Sequence, residues 1–287
     1  MMTEHLSLKK GYIGRTVFVI FTYVFLTLTM CAMVLPLIKV LVDSIDPTAY
    51  GLRLIPRKVD FVAYESIFKN KYLYLPFVVS VLTTIAGTAI GLFLTTLAGY
   101  VILQKDMPGH KALINMIFIT MLFSGGLIPT YLTVKHVGLM NNYLAVILPV
   151  GLSAYNIILM KSFFESIPST LYEAAEMDGC SPMGIFFKIV LPLSKPALAS
   201  VGLFIAVSMW NNYMNFILYI TKPEMTNFQV KVRELILSDG ISGTVLSASE
   251  EMLKSAVVVV VILPFLLVYP WLQKYFVKGV TIGAVKE

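Results

Sequence analysis

A chain of 287 residues with 57% hydrophobic and 13% charged side chains, and a mean hydropathy of +0.82, lies far from the balance of a soluble globular domain and reads as an integral membrane protein. Its net charge of +6 and pI near 9.1 do not point to nucleic acid, because the Lys and Arg residues are scattered among connecting segments without a basic stripe; lipid headgroups account for them more simply. Cys31, in the first apolar stretch, and Cys180, in a polar loop, lack metal-ligand spacing and fall too far apart in the predicted topology for a disulfide.

Six stretches without Asp, Glu, Lys, Arg or His follow in chain order: Thr16–Ile38, Tyr72–Gln104, Ala112–Val134, Val137–Met160, Pro196–Thr221 and Ser255–Gln273. Each reaches the roughly 18 to 20 residues that a helix needs to cross about 30 Å of hydrocarbon, so the predicted fold is all-α, a polytopic membrane protein with six transmembrane helices. The first stretch, at 23 residues, is longer than a signal-peptide core and runs into Pro36 without a small-residue cleavage site, so it is expected to remain as a span. Six spans put both termini on one side. Lys and Arg total 11 on each side, and that tally alone does not choose. Lys9, Lys10 and Arg15 precede the first span, whereas Lys39 beyond it is offset by Asp43 and Asp46, which favours cytoplasmic termini. The predicted division is a cytoplasmic segment at 1–13, a transmembrane domain at 14–277 and a cytoplasmic tail at 278–287.

In the third stretch, Ser124-Gly-Gly126 followed by Pro129 predicts a loosened or bent helix end, read either as a gate or as a simple terminus. Between the fourth and fifth stretches, the loop at 165–192 carries the most distinctive polar pattern of the chain. Pro168 suits a first helical turn, and Thr170 with Glu173 has capping-box spacing, so a short helix is expected to start there. Gly179 stops it by taking the left-handed conformation, and Ser181 with Pro182 starts a second short helix that should end before Pro192. Glu173 and Glu176 suit the early part of the first helix, while Ala174 and Ala175 leave a bare face for another backbone to approach.

The fifth stretch holds the densest uncharged polar cluster: Ser208, Trp210, Asn211, Asn212, Tyr213, Asn215 and Tyr219. Ser208, Asn212, Asn215 and Tyr219 recur at helical spacing, so a continuous helix would place them on one face, towards a protein interface or a water-filled path. Hydrogen bonding between helices is one reading. A sugar pathway is the other, since amides serve hydroxyls as donor and acceptor and aromatic rings cover the apolar faces of sugars. Tyr155, Asn156 and Ser124 are further candidates for such a path, each equally explained by helix packing. Without ionisable groups in the stretches an internal proton relay is not expected, and without a phosphate-binding G-x-x-x-x-G-K-[ST] loop the chain should not hydrolyse ATP. His5, His110 and His136 lie outside the stretches, and no nucleophile and base pair suggests an embedded enzyme.

Glu173, Ala174, Ala175, Gly179, Ile189, Leu191 and Pro192 match, at the right offsets, the EAA pattern of the membrane subunits of binding-protein-dependent ABC importers. The phrases Phe123–Tyr131, Tyr155–Phe163, Trp210–Asn215 and Gln273–Gly279 resemble the carbohydrate branch of these permeases, of maltose or oligosaccharide type. The resemblance implies that the loop is a cytoplasmic coupling helix, in which Glu173, Ala174, Ala175, Glu176, Asp178, Gly179 and Pro192 meet an ATP-hydrolysing subunit. It also implies a second, homologous permease, two ATP-binding subunits that carry ATP and Mg, and an extracytoplasmic solute-binding protein, all at the cell (cytoplasmic) membrane. On this reading the chain itself has no cofactor, metal site or catalytic residue. The polar segment Ser238–Thr244 is a candidate contact for the binding protein, and the tail from Lys278 to Glu287 for the ATPase pair. An importer of an amino acid, phosphate, polyamine or metal is the rival reading, disfavoured by charge-free spans; a passive channel or scaffold is a second.

Overall fold

The computed structural model describes residues 2–48, 51–237 and 250–284, with side chains placed from Gly14 to Val268 within those ranges and at Pro270. In chain order the helices are α1 (Met2–Ile45), α2 (Val62–Lys69), α3 (Lys71–Leu103), α4 (His110–Leu122), α5 (Leu127–His136), α6 (Tyr143–Gly151), α7 (Ala154–Glu165), α8 (Ser169–Met177) and α9 (Pro182–Ile185). A π-helical segment (Phe186–Val190) leads into α10 (Leu191–Leu193), α11 (Lys195–Trp210) and α12 (Met214–Tyr219); a 3-10 turn (Pro223–Met225), α13 (Phe228–Leu237) and α14 (Glu250–Ala284) complete the chain. No strand occurs among the described residues. The segment Ser238–Thr244 lies outside them, as do the side chains of the tail.

Hydropathy and helix agree where a single long apolar run suffices. Gly14–Ile45, Lys71–Leu103 and Glu250–Val268 are continuous helices long and apolar enough to cross a bilayer. The other stretches are broken. The fourth divides into α6 and α7, bent by 48°, and the fifth begins in Lys195–Trp210, bent by 82° from the preceding Pro182–Leu193. The third divides into α4 and α5 around Phe123–Gly126, where Gly126 at φ 84° and ψ 175° takes a conformation that only glycine adopts easily. Length and composition thus give three spans, or up to five if each bent pair counts once.

The chain divides into two compact units, Met1–Lys69 with Gly240–Val260, and Asn70–Asp239 with Val261–Glu287. In the first, α1 is apolar around its circumference and its window of highest hydropathy is entirely unburied, a surface suited to lipid or to another membrane helix. Beyond α1, Asp46 organises the chain's exit: its carboxylate accepts from Thr48 Oγ1 at 2.7 Å and from the backbone N–H groups of Arg57 at 2.7 Å and Thr48 at 2.8 Å. These bonds, led by the Thr48 hydroxyl, hold the carboxyl well below the usual carboxylate range. The aspartate that sequence reading treated as a topological charge is therefore a loop organiser. Nearby, Lys39 pairs with Asp43 one turn on.

In the second unit α3 is central, packing against α6, α7, α11 and α13. Small residues at Gly87, Gly91, Thr95 and Gly99 share one face at intervals of four and let neighbouring helices come close. At Gly91 the approach is backbone to backbone: an added Cβ would lie 2.8 Å from Gly151 Cα and 2.9 Å from its carbonyl oxygen. Thr95 Oγ1 donates to that same Gly151 carbonyl at 3.4 Å, a weak bond at the margin of hydrogen-bonding distance.

At the α12 end of this unit, Asn141 sits at φ 56°, a left-handed conformation that asparagine tolerates better than most side chains. Its N–H donates to Tyr219 O at 2.8 Å, and its Oδ1 accepts from Thr221 N at 2.7 Å, Thr221 Oγ1 at 3.0 Å and Lys222 N at 3.2 Å. One side chain thereby supplies acceptors where α12 has run out of helical partners.

Candidate functional site

The acidic loop forms an elbow whose termination follows closely from Gly179. At the end of α8, Cys180 N donates to Ala175 O at 2.9 Å and Gly179 N to Glu176 O at 3.0 Å, with Gly179 at φ 74°; together these make a Schellman closure. Ser181 then accepts from Gly184 N at 3.2 Å and Pro182 occupies the first turn of α9, as its spacing predicts.

Three local expectations need correction. First, the Thr170–Glu173 capping box does not form, because α8 begins at Ser169 with Pro168 as its N-cap and Thr170 already inside the first turn. Second, the following helix does not end before Pro192. It widens into the π segment, where Leu191 N reaches back to Phe186 O, and this change of register accommodates a proline that has no N–H to donate. Third, the two alanines do not share one bare face. Ala174 is exposed, whereas Ala175 is 6% exposed and joins the core with Ile185, Phe186 and Val190.

The outward side of the elbow consists of Glu173, Ala174, Glu176, Met177, Asp178 and Gly179, and Met177 is 89% exposed. Pro192 is exposed as well. Two tyrosines tie the elbow to the long helices. Tyr100 near the end of α3 donates to Pro182 O at 2.8 Å and packs against Phe186, with ring centroids 4.9 Å apart; Tyr172 on α8 donates to Phe164 O of α7 at 3.1 Å. Burial, then the neighbouring Tyr100, push the Tyr172 hydroxyl up to about 12, so it stays a neutral donor. Between these anchors lies a cleft of about 310 Å³, with Lys105, Glu165, Glu173 and Glu176 at its margin. Tyr172 thus links α8 to α7, and Tyr100 links the start of α9 to α3.

The polar stretch is not one continuous helix. The helix breaks at 211–213, between α11 and α12, and this dissolves the expected common face of Ser208, Asn212, Asn215 and Tyr219. Asn212, 7% exposed, turns inward: its Nδ2 donates to Val146 O of α6 at 2.9 Å, while its own carbonyl accepts from Asn227 Nδ2 at 2.7 Å. Asn227 Oδ1 also accepts from Val230 N at 3.1 Å, and Ser80 Oγ of α3 accepts from Phe228 N at 2.9 Å, so the start of α13 is pinned over the break. Trp210 is buried edge-on between Phe77 and Phe265, at 6.1 and 6.0 Å. Tyr219, also buried, stacks on Tyr131 at 6.3 Å. Asn156 is buried too. Left open or half-open are Ser208, Asn211, Tyr213, Asn215, Tyr155 and Ser124.

Interhelical bonding thus describes Asn212, while Ser208, Asn211, Tyr213 and Asn215 around it stay open or half-open. We expect Asn212→Ala to cost about 1 to 3 kcal/mol, because Val146 O loses its donor inside the protein. Asn211→Ala, whose exposed Nδ2 caps only Val207 O, should change stability by no more than about 0.5 kcal/mol. Thermal melting of the detergent-solubilised subunit compares the two, and equal losses would contradict this division. Sequence reading overlooked Ser80, Asn141 and Asn227, whose roles depend on contacts far along the chain. It also overlooked the small-residue face of α3, although G-x-x-x-G at Gly87 and Gly91 is a legible sign.

The profile of the family described as binding-protein-dependent transport system inner membrane component matches residues 112–282. Among curated relatives, the polygalacturonan/rhamnogalacturonan transport system permease protein YtcP of Bacillus subtilis (strain 168) is 42% identical over 275 residues, covering 92% of this chain and 96% of the relative. Protein LplC of the same organism is 41% identical over 239 residues, 81% of each. Among solved structures, a chain from a bacterial ABC transporter involved in the import of the acidic polysaccharide alginate superposes with a TM-score of 0.85 at 30% identity, over 91% of this chain and 96% of that one. This chain belongs to the family of binding-protein-dependent transport system inner membrane components.

Proposed function

We propose that this chain is the permease subunit of an ATP-driven importer that carries an oligosaccharide across the cytoplasmic membrane, with both termini in the cytoplasm and six spans. The substrate class draws support from relatives named for polygalacturonan/rhamnogalacturonan and for arabinooligosaccharides. ATP hydrolysis belongs to a separate subunit. Two ATP-binding subunits with their Mg, a second permease and an extracytoplasmic binding protein complete the assembly on this reading.

The observation that carries the mechanism is the elbow: a short, Schellman-closed helix with Glu173, Ala174 and Met177 outward and two tyrosine anchors behind it. Seated in a cleft of the ATPase, it would pass closure of that subunit to α3 and α7. The open residues near the break, Ser208, Asn211, Tyr213 and Asn215, with Tyr155 and Ser124, line the sugar path in this proposal. No covalent chemistry is required of them. A ligand moves such an equilibrium only by binding one state more tightly, and a near-complete switch takes roughly 5 kcal/mol of preference.

Met177→Cys, in a Cys31→Ser, Cys180→Ser background, tests the docking. In the complex purified in mild detergent it should crosslink to an ATP-hydrolysing subunit, and nucleotide should alter the yield. A complex in which Met177→Cys stays freely reactive, with no such subunit beside it, would overturn the lever.

A further inference from the structure

Arg233 lies on α13 with its guanidinium carbon 4.7 Å from the centre of the Tyr213 ring, next to the break between α11 and α12. It is exposed, and no carboxylate among the described residues lies within ion-pair distance of it. The nearest acid in sequence, Glu234, is occupied by Lys231 at 2.6 Å. From Lys222 to Leu237 the segment carries a net positive charge.

Position here is not left to a flexible side chain on a loose loop. The first turn of α13 is fixed by Asn227 to Asn212 O at 2.7 Å and by Phe228 N to Ser80 Oγ at 2.9 Å, both buried. Phe228 also meets Phe77 edge to face at 5.4 Å. Less than two turns later, Arg233 reaches the ring of Tyr213, whose own position is set by the buried Asn212 beside it. A guanidinium resting on an aromatic face keeps its in-plane N–H donors free, and those donors match a planar carboxylate bidentately. Asn211 and Asn215, open or half-open on either side of Tyr213, offer amides to neighbouring hydroxyls.

We infer that Arg233, stacked on Tyr213 beside the helix break, is a carboxylate-recognition site, and that the transported oligosaccharide carries uronic acid residues. The inference rests on the sugar-importer reading and narrows it. Charge-free spans do not oppose it, because Arg233 is carried by α13 and reaches the break from beside the polar stretch. A cation outside the spans attracts an anion without holding it through the passage.

The test uses the complete transporter in nanodiscs, with radiolabelled trigalacturonate and its fully methyl-esterified, neutral form as probes. Wild type should bind the acid more tightly than the ester, with a preference that shrinks as salt rises. Arg233→Gln should weaken acid binding roughly 10- to 100-fold and leave ester binding unchanged, while Arg233→Lys should fall between. Tyr213→Leu should reproduce part of the loss by releasing the guanidinium. Equal weakening of both probes by Arg233→Gln would assign the residue a structural role and overturn the proposal. Binding and uptake of neutral oligosaccharides with indifference to the acid would overturn it too, yet leave the importer intact. Failure to carry any oligosaccharide would remove the reading beneath it as well.

Discussion

Gly91→Ala is expected to destabilise the second unit severely, whereas Gly87→Ala, the same chemical change one turn away, should be nearly silent. Alanine is favoured over glycine inside a helix by about 1 kcal/mol, so both substitutions start with a gain. What the new methyl meets then decides the sign. At Gly87 it would approach Met209 Sδ at 2.6 Å and Cε at 2.9 Å, the end of an unbranched side chain that can turn aside. At Gly91 it would meet Gly151 Cα at 2.8 Å and the Gly151 carbonyl, which is main chain and cannot turn. Relief requires α3 and α6 to separate, and with them the weak bond from Thr95 to Gly151 O. Overpacking of this kind costs typically 1 to 3 kcal/mol, and Gly91→Leu, with three more carbons to place, should exceed that range and prevent folding. Thermal melting and size-exclusion profiles in detergent compare the variants. A Gly91→Ala protein that melts with wild type would show that the helices do not pack this closely.

Legibility in the sequence varied with how local each cause is. The runs beginning at Thr16, Tyr72 and Ser255 became long helices because length and apolarity are enough to specify one. Gly179 could be read in advance because an αL helix stop needs only the missing Cβ and the residues beside it, and Ser181 with Pro182 because a cap is equally local. Ser124-Gly-Gly126 marked a real break for the same reason. The sign at 211–213 is weaker, since asparagine favours caps and turns without forcing them and tyrosine carries no stop. Its stabilising partners are Val146 and Asn227, the first 66 residues away from Asn212 and the second 15. Helical spacing placed Ser208, Asn212, Asn215 and Tyr219 together only on the premise of an unbroken helix. In α8, periodicity specified that adjacent alanines diverge but not which would face inward; that was set when Ala175 packed into the core beside Ile185 and Phe186.

Gly179→Val is expected to separate ATP hydrolysis from uptake while leaving the assembly intact. The site is open, since an added Cβ would meet nothing within 4 Å, so the penalty is conformational and not steric crowding by neighbours. A residue with a side chain held at φ 74° costs roughly 1 to 2 kcal/mol, and a β-branched one belongs at the upper end. That strain can be relieved by leaving the left-handed region, which opens the bonds from Cys180 N to Ala175 O and from Gly179 N to Glu176 O and unwinds the last turn of α8. Met177 and Asp178 lie in that turn, so the outward face would lose its shape while the Tyr100 and Tyr172 anchors behind it persist. Set against a switch that needs roughly 5 kcal/mol of state preference, a loss of 1 to 2 kcal/mol lowers the ratio of driven to resting state about 5- to 30-fold. Uptake in proteoliposomes should fall relative to ATP hydrolysis, which continues with the subunits still co-eluting. Gly179→Asn is the control, because asparagine visits the left-handed region at smaller cost and should keep most of the transport. If valine and asparagine transport equally well, the end of α8 does not need its left-handed closure, and force must reach α3 and α7 by another route.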